Sequence, residues 1–199
     1  MWSGAFSLFG TIRNRTRQGR PGLRSWTGEG SLILRGHWVL VVTDQCTRRI
    51  VGFGVHRGAV DGVGLCRMFN RATHGPTPST YLSSDHDRPY QFHQWQATLR
   101  ILDVEDIKTV PYAPLSHPFV ERVIGTIRRE CLDRTLFWTA TDLEMELLEF
   151  QRYYSGHRAH AGLDGSQPES SPDGGARASL RTCGWQAHCR GLYQTPIAA

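Results

Sequence analysis

One stretch limits the choice of fold more than any other. His37-Trp38-Val39-Leu40-Val41-Val42-Thr43 is a β-rich apolar run bounded by turn signals, and it reads as a strand. Asp44-Gln45-Cys46-Thr47 follows as a turn, because an Asp side chain can bond backbone amides two residues on. Arg48-Arg49-Ile50-Val51-Gly52-Phe53-Gly54-Val55-His56 then returns as a second strand. Ser31-Leu32-Ile33-Leu34, ending at Arg35-Gly36, would add an earlier one. The stretch is therefore an antiparallel meander of two or three strands.

From Val60 to Ala72 the period becomes helical, with Val63, Cys66, Met68, Phe69 and Ala72 recurring every three or four residues. Gly75-Pro76-Thr77-Pro78 stops that helix. Thr80–Ser84 is the next strand, and after a helical crossover it is predicted parallel to an earlier one. Asp87 or Arg88 caps a helix with Pro89 in its first turn and core positions at Trp95 and Leu99. Ile107–Val110 is a short strand. Ser116-His117-Pro118 starts a helix whose apolar stripe is Phe119, Val120, Val123, Ile124 and Ile127. Leu143, Leu147, Phe150 and Tyr154 mark a last one, with Asp142, Glu144, Glu146 and Glu149 mostly on its other faces, predicted solvated. Three antiparallel strands followed by crossovers give an α/β, ribonuclease H-like mixed sheet with helices on both faces.

The domain organisation read from this pattern is a flexible Arg-rich arm over residues 1–24, a core over 25–168, and a Ser/Pro/Gly-rich linker with a small C-terminal appendage over 169–199. Charge is uneven. Residues 1–36 hold six Arg and one acid, whereas residues 37–199 hold the other 17 basic and 17 acidic groups, so the net +5 belongs to the N-terminal segment. Such an arm suits nucleic acid, although 22 of the 23 basic residues being Arg fits a coding bias equally well. The longest apolar runs, Trp38–Val42 and Ile50–Val55, are far short of the roughly 20 residues a bilayer requires. Five cysteines without a CxxC pair read as reduced thiols, hence a cytoplasmic protein with no membrane partner.

Two carboxylates carry the chemistry. Asp85 lies where a parallel strand runs out, the edge at which open α/β sheets build their sites. Glu121 lies one turn into a helix whose other face is apolar, and 35 residues separate the two. Hard carboxylates suit Mg²⁺ or Mn²⁺, and a pair of such ions about 3.5–4 Å apart would serve an in-line displacement at phosphorus. Arg128 follows Glu121 by seven residues, two helical turns on, with Arg122 and Arg129 beside it, a row able to hold a DNA backbone. The simpler alternatives are Asp85 as a helix cap and Glu121 paired with a neighbouring Arg. His86 reads as a loop residue and Asp87 as a cap. Arg158 either fixes the turn after the last helix, with His160, or contacts DNA.

Asp44–Phe53, Ser84-Asp85-His86-Asp87, His117–Arg122, Tyr153-Tyr154, Arg158-Ala159-His160, Leu163 and Pro168 together resemble the integrase core of bacterial insertion-sequence transposases and retroviral-type integrases. The resemblance runs from about Ser31 to Pro168. It implies that Asp85 and Glu121 are the second and third members of an Asp-Asp-Glu triad binding two metal ions, and that Arg128 is the DNA-contacting base. It implies Mg²⁺-dependent cleavage at a transposon end and direct attack of the freed 3′ hydroxyl on target DNA. It also implies a homo-oligomer on DNA, near the nucleoid, with no small-molecule substrate.

The departure is the first acid. The family's first-strand Asp is expected before the segment Val39–Asp44, near residues 24–30, yet residues 1–43 contain no Asp. Glu29 is one stand-in. Asp44 is a poor one, since related proteins carry an Asp at that turn besides the catalytic one. The family's N-terminal DNA-binding domain has no counterpart either, and a truncated or frame-shifted reading frame would explain both gaps. That makes an inactive remnant the alternative to an active transferase.

Overall fold

The computed structural model describes residues 5–9, 37–74, 80–84, 88–108, 118–169 and 183–198. Strand β2 (His37–Asp44) pairs antiparallel with β3 (Ile50–Arg57), matching Val39 to Val55 and Val41 to Phe53. Every residue from Val39 to Val42 is buried. Alternation sends Val39 and Val41 into one core with Val123, Ile127, Leu143, Leu147 and Phe150. It sends Leu40 and Val42 into a second core with Leu65, Phe69, Leu82, Trp95 and Leu99. A continuous apolar run is what a strand between two helical layers needs, and the helices do lie on both faces.

The first strand is not where the sequence pattern placed it. It is β1 (Ala5–Phe9), inside the segment read as a flexible arm, and with β4 (Tyr81–Ser84) and β5 (Glu105–Lys108) it makes a sheet ordered β3-β2-β1-β4-β5, in which it is central. Ser31–Leu34 lies outside the described residues. β1 pairs antiparallel with β2, Phe6 opposite Asp44, and parallel with β4 (Tyr81–Ser84), Phe6 opposite Leu82 and Ser7 opposite Ser83. Five residues between Gly4 and Gly10 carry little local signal amid Arg, Gly and Pro. Their strand state comes from pairing with partners more than thirty residues away. β5 (Glu105–Lys108) extends the parallel side, two residues earlier than Ile107–Val110, as a polar edge strand.

Helix α1 (Gly62–Ala72), capped by Asp61 through the Gly64 amide at 2.6 Å, packs on β3. Glycines make that approach possible. A Cβ on Gly52 would stand 2.1 Å from the Ala72 carbonyl oxygen, and one on Gly54 would stand 2.3 Å from that of Met68. Beside it α2 (His93–Ile101), preceded by a 3₁₀ turn at Arg88–Gln91, buries Trp95 edge-on against Phe69 and Tyr90. The other face carries α3 (Pro118–Ile127), which continues as a π-helical turn over Arg128–Leu132. It also carries α4 (Ala140–Gly156), opened by a capping box between Thr139 and Asp142.

One acid of α4 departs from the solvated reading. Glu146 is only 1% exposed, and Arg190 reaches its carboxylate at 3.0 Å. The cause is the C-terminal appendage, a hairpin of β6 (Cys183–His188) and β7 (Tyr193–Ala198) that covers this side of the helix. Tyr193 stacks on Tyr153 at 4.2 Å, and its hydroxyl donates to the Glu130 carbonyl at 2.7 Å. Cys131 and Cys189, the latter in the hairpin's own turn, are both buried, and burial and the Glu146 carboxylate push the Cys189 thiol up to about 12. Among the described residues no helix is long and apolar enough to cross a membrane.

Candidate functional site

The candidate site is built on α3. Val120, Val123 and Ile127 are buried at a three-to-four-residue spacing, so helical geometry turns Glu121 and Arg122 outward, and Arg128 and Arg129, on the π-helical turn that continues the helix, are exposed as well. Three cations beside one carboxylate favour a polyanion running along this helix. The helix start is fixed by Arg48, whose guanidinium lies 4.6 Å above the Phe119 ring. α3 lies against β1, and β1 lies beside β4. Asp85 directly follows Ser84, the last residue of β4, but with His86 and Asp87 it falls outside the described residues. The strand end preceding it is pinned, since the buried Ser84 hydroxyl donates to Asp106 on β5 at 2.6 Å.

No first acid comes from β1. The strand reads Ala-Phe-Ser-Leu-Phe, and no Asp or Glu occurs before Glu29, which is itself outside the described residues. Asp44 is committed elsewhere. One of its carboxylate oxygens accepts from the Cys46 amide at 2.8 Å and the other from the Thr47 hydroxyl at 2.7 Å, which locks the β2–β3 turn. In register it stands level with Leu82, three residues short of Asp85. Two carboxylates suffice for one hard cation but leave a two-ion site short of a ligand. Among the described residues no three His, Cys, Asp or Glu side chains converge for a metal.

Arg158 is drawn into the fold. Its fork donates to both Glu130 oxygens, at 3.0 and 2.8 Å, which holds the guanidinium firmly charged, and it lies over Tyr154. His160 is buried, its Nε2 3.2 Å from the Tyr154 carbonyl, and burial pushes its pKa down. The partnership of Glu130 with Arg158 was not foreseen from sequence. A π-helical turn, which changes the phase of the residues after Ile127, gave no signal in the apolar pattern.

Comparisons with known proteins bear on this arrangement. Residues 102–168 match the family model for the integrase core domain. No curated protein matches the chain by sequence. The catalytic core domain of BIV integrase is similar with a TM-score of 0.55 at 13% identity, over 84% of this chain and 91% of that one. The HTLV-2 integrase catalytic core domain, in complex with magnesium and dimeric, gives 0.55 at 9% identity over 83% and 93%. A chain of the simian T-cell lymphotropic virus intasome, in complex with PP2A regulatory subunit B56 gamma, gives 0.57 at 11% over 98% and 67%. Identities this low show the fold, which is α/β and ribonuclease H-like. Residues 102–168 are thus similar in sequence to an integrase core domain, and the chain is similar in fold to the retroviral catalytic cores.

Proposed function

We propose that the domain performs metal-dependent DNA strand cleavage and strand transfer of the transposition or integration type. The observation carrying this reading is the outer side of α3, where Glu121 stands exposed among Arg122, Arg128 and Arg129 on a helix lying against the central strand. The arginines would hold the DNA backbone of a mobile-element end and its target, while Asp85 and Glu121 would hold one Mg²⁺ or Mn²⁺. The HTLV-2 core, of the same fold, is in complex with magnesium. Such an ion would stabilise negative charge developing at phosphorus. Arg158, closed on Glu130, serves this reading best by fixing the turn beyond α4, with DNA contact secondary.

A second reading has its own observation. With no acid in β1 and Asp44 consumed by its turn, the chain is a remnant that keeps the fold and DNA binding without strand transfer. One experiment separates the two. Labelled duplex ends are incubated with the chain in Mg²⁺ or Mn²⁺, with Asp85→Asn and Glu121→Gln as controls. Products lost in both variants support the transferase. No products in either metal, with binding still weakened by Arg128→Ala, support the remnant.

A further inference from the structure

The C-terminal hairpin meets the end of α4 through two histidines. His157 is the C-cap of α4, and His188 is the last residue of β6. Both are half-buried, and their ring centres stand 4.4 Å apart with the planes tilted by 43°. The His188 Nε2 lies 2.7 Å from the Thr195 hydroxyl on the opposite strand of the hairpin. With that nitrogen donating its proton, Nδ1 keeps a free lone pair. Among the described residues the His157 ring makes no hydrogen bond, so neither of its nitrogens is committed. Burial and the neighbouring His157 hold the His188 pKa below its ordinary value, which leaves that ring neutral at pH 7. Neither ring has a part in the chemistry proposed for α3.

We propose that His157 and His188 together bind one borderline divalent transition ion, of the Zn²⁺ or Ni²⁺ class, which staples the hairpin to the end of α4. The donor type selects this class, because imidazole nitrogen suits such ions whereas Mg²⁺ takes oxygen. The spacing agrees with it. Two imidazoles on one ion, each nitrogen about 2.0–2.1 Å from the metal, set their ring centres roughly 4.5–5 Å apart. The pair at 4.4 Å is close to that already, so turning the uncommitted His157 ring suffices to aim a nitrogen at the ion. A ligating imidazole commonly donates its other N–H to a fixed partner, and Thr195 is placed to accept that proton from His188. The Glu149 carboxylate, whose charge acts on His188, adds attraction for a cation. Among the described residues no third His, Cys, Asp or Glu joins the pair, and water fills the remaining positions.

With half the protein ligands of a structural zinc site, the expected Kd is on the order of 10 µM. The ion binds the docked hairpin in preference to the unfolded chain, so it raises the thermal midpoint. The inference does not depend on the proposed chemistry, because thermal unfolding of the full chain without DNA reads it directly. At about 100 µM Ni²⁺ or Zn²⁺ the midpoint should rise by about 3–6 °C over a chelated control. Mg²⁺ at the same concentration should not reproduce the rise. His157→Ala and His188→Ala should each abolish it, measured from the variant's own metal-free midpoint, so that any stability change of the variant drops out. If His188→Ala fails to fold, His157→Ala alone decides. Cys46→Ser, which removes an exposed thiol, and Glu121→Gln should both keep the rise. No rise with either ion, or a rise that survives in a histidine variant, overturns the proposal. So does a rise lost in Glu121→Gln, since the ion would then sit on α3.

Discussion

The β2–β3 turn and the outer side of α3 are both charged, and they use charge in opposite ways. In the turn every charge is spent on the fold. Asp44 caps two donors, Arg48 in a left-handed conformation (φ 65°) covers Phe119, and Arg49 pairs with Glu169. Along α3 and the π-helical turn after it, Glu121, Arg122, Arg128 and Arg129 face solvent. A motif can thus be recognisable because the fold needs it or because a ligand does, and hydrogen-bond satisfaction tells the two apart. Substitutions on the first side should cost stability, and those on the second should cost interaction with DNA.

The largest loss is expected at Gly52, where α1 closes on β3. Gly52→Ala places a methyl against the Ala72 backbone carbonyl and should cost about 3 kcal/mol in chemical denaturation. An unchanged midpoint would mean that α1 yields easily. Next comes Glu121→Gln, expected to lower strand transfer about a hundredfold while moving unfolding by less than about 0.5 kcal/mol. A destabilised Glu121→Gln would move this residue to the structural side of the comparison.

Asp44→Ala should do the reverse. Losing two hydrogen bonds from an exposed turn costs about 1 kcal/mol, with strand transfer unaltered at temperatures where the protein stays folded. If transfer vanished without unfolding, Asp44 would be a ligand after all, and the comparison would fail at its centre. Arg128→Ala should leave unfolding unchanged and reduce the slope of log affinity against log salt by about 1, as loss of one phosphate contact requires. Titration of a fluorescent duplex at several salt concentrations reads that slope, and an unaltered slope removes Arg128 from the DNA path.

How much of this was legible in the sequence follows from the range of the forces involved. β2, its turn, β3 and the apolar stripes of α3 and α4 rest on local patterning, and they stand where the periodicity put them, whereas on α1 the pattern included Val63, which is exposed, and passed over Leu65, which is buried. β1 was missed because a five-residue strand is stabilised by its neighbours in the sheet, and those neighbours are distant in sequence. The burial of Glu146 was missed for the same reason, since a hairpin forty residues downstream covers it. Of the candidate site, the outward placing of Glu121 and Arg122 on α3 was legible from helical spacing, whereas Arg128 and Arg129 are exposed on the π-helical turn that follows. The commitment of Arg158 to Glu130 was not, because it joins two separate elements around a π-helical turn.

The smallest effect concerns pH and belongs to the buried side. Burial lowers the pKa of His37, His160 and His188, so the folded state binds these protons less readily than the unfolded chain does. Their contribution is complete above the unfolded value of about 6.5 and is lost as pH falls from there through the lower folded values. Glu146 works the other way. Burial raises its pKa, more than Arg190 offsets, so its contribution is present below its unfolded value and lost as pH rises through the folded one. Stability should therefore decline from pH 7 toward pH 5.5, and less steeply in His160→Asn, because that ring is buried against Tyr154. Denaturation midpoints at pH 7.5, 6.5 and 5.5 for both proteins measure the difference, expected to be a few tenths of a kcal/mol. Parallel curves would assign the acid loss to His37 and His188, and so to the contact of β2 with Phe137 and the docking of the hairpin on α4.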